Sequence, residues 1–147
     1  MRLPRSAAAW TIAVFGGLAL LLGAVGLVRP ETLLTLLGFE VLPAGGRASG
    51  DYTRTFVTAS SMASFNMGVY YLLAASSGWE PFFRFTVVFR LLTFAVFTVL
   101  VLTEVAPPRF LGVALWEGAG AVATAVALWL DRRQIGNQAV TAMGAGG

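Results

Sequence analysis

The sequence predicts an all-α membrane protein: a bundle of four transmembrane helices with one short interfacial helix after the first span. Three observations carry this. Hydrophobic residues make up 57% of the 147 residues, and mean hydropathy is +0.78. Charged residues are only 12%, about half the ~25% usual in soluble domains. Four apolar runs, 7–28, 55–75, 82–105 and 110–130, each reach the roughly 20 helical residues needed to cross a hydrocarbon core. Together they form a single membrane domain over 1–133, followed by a small, polar, glycine-rich tail over 134–147 that is expected to be disordered.

Arg2 and Arg5 precede the first run in the manner of a secretory signal, but the run exceeds the roughly 7–15 residues of a signal core, so it reads as a retained span. Its Gly16, Ala19, Gly23 and Gly26 share one helical face, as expected where two helices pack closely. Arg29-Pro30 ends this helix. Pro30 suits the first turn of a new one, Glu31 complements its N-terminus and Gly38 closes it, so 30–37 reads as a short helix lying in the membrane interface on its leucine side. Residues 39–54, with Pro43, Gly45, Gly46 and Gly50, form the one sizeable extramembrane loop.

The second span carries Thr58, Ser60, Ser61, Ser64 and Asn66, a polar content that would be wasteful against lipid. Ala59, Ala63, Asn66 and Tyr70 share a face, which points Asn66 into the bundle. The stretch 76–81 is a tight turn, with Trp79, Phe82 and Phe83 as interfacial aromatics and Pro81 opening the third helix. Pro107-Pro108 ends that helix and starts the fourth, which has Ala119, Ala123 and Ala127 at four-residue spacing and stops at Asp131-Arg132-Arg133. An even number of spans puts both termini on one side. Arg2, Arg5, Arg84, Arg132 and Arg133 then oppose Arg29, Arg47, Arg54 and Arg109, a small excess that predicts cytoplasmic termini.

Neither cysteine nor histidine occurs, so the chain has no thiol nucleophile, no haem-ligating imidazole and no ordinary zinc site; no metal and no cofactor are expected. The basic residues are ten arginines scattered around helix ends, not one stripe, which argues against nucleic-acid binding. Gly45-Gly46 lacks the lysine and the strand-to-helix setting of a phosphate loop.

Two charges interrupt the apolar runs: Arg90 in the third and Glu117 in the fourth. A carboxylate at bilayer depth costs about 2.5 kcal/mol or more unless paired, protonated or lining a polar cavity. Helical rise leaves on the order of 10 Å of depth between the two backbones, which long side chains can close. Arg90 could instead snorkel toward the interface, and Glu117 could meet Arg54, Asn66 or Tyr70. Glu117, Arg90, Asn66 and Tyr70 are therefore the candidate intramembrane polar cluster, read first as a lock between helices and second as a site where Glu117 is catalytic or carries protons, with partner contacts or a lipid or ligand pocket as further readings. Arg54 and Asp51, at the mouth of the second span, are candidate contacts for a lipid headgroup or ligand.

The order of these features resembles the small four-helix membrane proteins grouped as DoxX-like. The resemblance is carried by the glycine-rich first span, Arg29-Pro30-Glu31 and Leu37-Gly38-Phe39, and Arg54 leading to Asn66-Met67-Gly68-Val69-Tyr70-Tyr71, with Arg90 and Glu117-Gly118-Ala119 completing it over about 15–130. It implies a multi-pass protein of a bacterial inner (plasma) membrane, in some relatives linked to oxidoreductase assemblies or oxidative-stress responses, and it supplies no catalytic residue. Three function classes follow. The first is a non-catalytic subunit or scaffold of a membrane complex, with membrane lipids and a protein partner or further copies of itself as neighbours. The second is a lipid or small-molecule binder, in the extreme an isomerase-like enzyme, with a pocket around Glu117. The third is an oligomeric proton-coupled transporter, which the lack of an internal repeat disfavours.

Overall fold

In the computed structural model the described residues are 3–43, 46 and 48–144, and their regular structure is entirely helical. Helix α1 spans Ala7–Val28, α2 Pro30–Leu37, α3 Thr53–Ser77, α4 Glu80–Leu102 and α5 Leu111–Gly144, with a 3₁₀ turn at Pro108–Phe110. Helices α1 and α4 and the stretch Pro108–Gln138 are long and apolar enough to cross a membrane. Helix α3, with 25 residues, is long enough but falls short in hydropathy because of its serines, threonines and Asn66.

Local chemistry explains the boundaries. Arg29 breaks the helical dihedrals between α1 and α2, and Pro30 occupies the first turn of α2, where its missing N–H is no loss. Helices α2 and α3 both end on left-handed glycines, Gly38 (φ 86°) and Gly78 (φ 68°), and the next residue folds back to bond the carbonyls of Leu34 and Ala74. Helix α4 stops at Leu102, three residues before the predicted end at Val105, because the chain must be extended at Ala106 ahead of Pro107-Pro108. Glu104 makes that turn with φ 59°, and the N–H groups of Val105 and Ala106 both reach the Leu100 carbonyl.

Beyond the Asp131-Arg132-Arg133 stop, α5 continues to Gly144 where the composition predicts a disordered tail. No proline interrupts 131–144, so the helix has no local reason to end at the membrane edge. Residues 145–147 of that tail lie outside the described residues.

The helices pack in the spatial order α3, α1, α5, α4, with the first helix in the middle. The α1–α3 contact is the most extensive, followed by α4–α5 and α1–α5. Helices α3 and α4, though consecutive, have little mutual contact; Tyr71 and Phe82 meet edge-on at 5.6 Å near their turn. Small residues make up much of the interior, with Ala8, Ala9, Gly16, Gly23, Ser61, Gly68, Ala74, Ala75, Ala121 and Thr124 buried beside the larger Ile12, Phe15, Phe83 and Leu128, while Trp10, Leu21, Val88, Phe89, Leu92, Val96 and Val99 face outward. An apolar exterior of this kind, over a seam of small residues between α1 and α3, is the arrangement that lipid, not water, would solvate.

Candidate functional site

Four helices converge on Arg90. Its guanidinium comes from α4 and meets the Glu117 carboxylate of α5, with Nε 3.3 Å from Oε2. On the α1 side its central carbon lies 3.6 Å from the centroid of the Phe15 ring, and the Tyr71 ring of α3 is at 5.6 Å. The Arg90 side chain is 7% exposed and that of Glu117 21%.

The ion pair is close but not aligned as a hydrogen bond, and neither Nε nor Nη1 of Arg90 has a hydrogen-bond partner among the described residues. The charge is stabilised by Glu117 and by the π-face of Phe15, an arrangement worth about 2 kcal/mol or more when desolvated. Gly120, one turn beyond Glu117, makes room for it: a Cβ there would collide with Arg90 Nη1 and lie 2.5 Å from the tip of Phe15. The Trp116 ring packs tilted against Phe15, with centroids 4.6 Å apart, and Gly118 packs against Phe94. Below the pair, buried Thr124 shares a hydrogen bond with Thr11 at 3.0 Å, joining α5 to α1 again.

Asn66 and Tyr70 are elsewhere. Both are exposed on the side of α3 that faces away from α1, so the predicted inward orientation is reversed. Close approach decides which face packs. Ser61, Gly68 and Ala75 recur every seven residues and are buried, and a Cβ on Gly68 would lie 2.6 Å from the Leu20 amide nitrogen. Across the seam, a Cβ on Gly23 would lie 2.6 Å from the Phe65 nitrogen, and the Ser64 hydroxyl donates to the Ala19 carbonyl at 2.9 Å. Tyr71, one residue on from Tyr70, takes the inward place.

Arg54 and Asp51 also acquire protein partners. Arg54 Nε lies 3.5 Å from Glu31 Oε1 on α2, and Asp51 Oδ1 accepts the Thr53 N–H at 2.9 Å at the start of α3. Asp51 also borders an open groove of about 680 Å³ lined by Leu33, Leu37, Phe39, Phe56 and Phe110. Arg90 and Glu117 do not line it.

A second polar junction joins the start of α1 to Asp131 within α5. The Asp131 carboxylate of α5 accepts the Ala7 and Ala8 N–H groups, each at 3.0 Å, while Ser6 Oγ accepts from Ala9. Three open donors of α1 are thereby satisfied, with a negative charge at the positive end of the helix. Glu80 takes Arg84 and, at 3.8 Å, Arg132 nearby. The sequence reading treats Asp131 only as a stop signal; an acidic residue at the end where α1 begins was the available clue. No family model, curated protein or solved structure matches this chain.

Proposed function

We propose that this chain is a multi-pass membrane protein in which α1, α3, α4 and α5 all span, serving as a non-catalytic subunit or scaffold of a membrane complex. The observation that carries this reading is the enclosure of the Arg90 guanidinium by Phe15, Tyr71 and Gly120 and its pairing with Glu117, which ties α4 to α5, α1 and α3. Helix α3 is read as the fourth span because most of its hydroxyls are satisfied within the protein. Thr58, Ser60 and Ser61 donate to carbonyls three or four residues back, and Ser64 donates to α1. Four spans put both termini on one side, the cytoplasmic one by arginine distribution, in keeping with the resemblance to DoxX-like proteins. A role beside a redox assembly would be that of a membrane partner, since the chain has no cysteine or histidine.

The groove beside Asp51 favours a second reading, in which the protein holds a lipid there. Purification in mild detergent, followed by mass spectrometry of everything retained, tests both. A stoichiometric partner protein is the expected result; a defined lipid retained with no protein would replace the scaffold reading by the second.

A further inference from the structure

Asn66 lies near the middle of α3, almost diametrically opposite the glycine seam, and its amide has no hydrogen-bond partner among the described residues. At about 1.5 Å per residue it is roughly 17–20 Å from either helix end. Taking α3 as a span, the reading on which this inference rests, an amide at that depth facing hydrocarbon is unfavourable and calls for a partner.

The residues around it form a seam. Thr55, Ala59, Met62, Asn66 and Leu73 all lie on that outer stripe, and all are exposed. Their spacing of four and three, with half-buried Val69 filling the remaining step, is that of the a and d positions along which two helices interlock. One asparagine in such a seam fixes register, because its amide both donates and accepts and can bond a second asparagine.

We infer that α3 is a homodimer interface, with Asn66 of each copy hydrogen-bonded to Asn66 of the other across a twofold axis. Depth favours a second copy as the occupant. Two copies of one chain insert with the same orientation, so their α3 helices run parallel and bring two self-complementary amides to the same level. A lipid tail offers no hydrogen bond there. No other helix blocks the approach, since α3 packs on α1 and α2 and leaves this stripe open.

The chain has no cysteine, so single substitutions can be read without a background. Met62→Cys and Leu73→Cys lie on the seam, whereas Met67→Cys is exposed but about a quarter turn away. Oxidation in native membranes should link the first two into species of twice the chain mass, several-fold more than Met67→Cys. In detergent, Asn66→Leu should weaken dimerisation by about tenfold. Linking of all three positions alike, of none, or to a protein of different mass would overturn the dimer. A membrane-impermeant maleimide applied to Met62→Cys in intact vesicles separates the two levels: labelling would remove α3 from the membrane and the dimer with it. Protection without cross-linking leaves the span standing and rejects the dimer alone.

Discussion

A methyl group at Gly120 would strike both the Arg90 guanidinium and the Phe15 ring, so the residue with the least side chain decides where the largest charge can sit. Replacing Glu117 by glutamine keeps the shape while removing the only counter-charge that contacts Arg90 among the described residues. Breaking a buried pair typically costs about 3–5 kcal/mol, and the partial exposure of Glu117 puts the expected loss near the lower figure. Thermal unfolding in mild detergent should show Glu117→Gln clearly destabilised and Glu117→Gln with Arg90→Met partly restored. A single variant as stable as the parent would make Glu117 an active group and not a lock. Both charges were legible because each interrupts an apolar run. Phe15 and Tyr71 were not, because nothing local distinguishes one aromatic in such a run from the next.

Helix periodicity shows which residues share a face but not which face packs. In α3 the face of Asn66 that the sequence points inward is exposed, and the packed set is the small one, Ser61, Gly68 and Ala75. Between helices in lipid, closeness of backbones outweighs polarity as a packing signal, and the glycines of α1 gave the right direction for that reason. Gly68→Leu should force α1 and α3 apart, at a cost of about 1–3 kcal/mol or more. Gly17→Leu is the matched control, since a Cβ there meets nothing within 4 Å. Comparing their melting temperatures checks the seam; equal melting of the two would show that it carries no stability. The short helix and the proline-marked boundaries were legible from local chemistry. The length of α5 was not, because a membrane-edge charge cluster marks where lipid ends and need not stop a helix.

Across the whole molecule, Asp131 binds the start of α1, so the first and last helices are fastened at one end. Asp131→Asn should lower stability by roughly 1 kcal/mol, the usual scale for a lost charged cap. Reporters fused to the two termini should report the same compartment; opposite compartments would exclude four spans. The central place of α1 also sets an order in time. Once Ser77 has emerged from the ribosome, α1 and α3 can close their glycine seam, but α4 then brings Arg90 into a half-built bundle where only aromatic rings receive it. Its counter-charge is not made until α5 follows. If the bundle inserts as proposed, an unfinished or truncated chain would leave a lone cation in the membrane, and completion of α5 would pair it. Chains ending at Val105 should accordingly be degraded faster in pulse-chase than the same chains carrying Arg90→Leu.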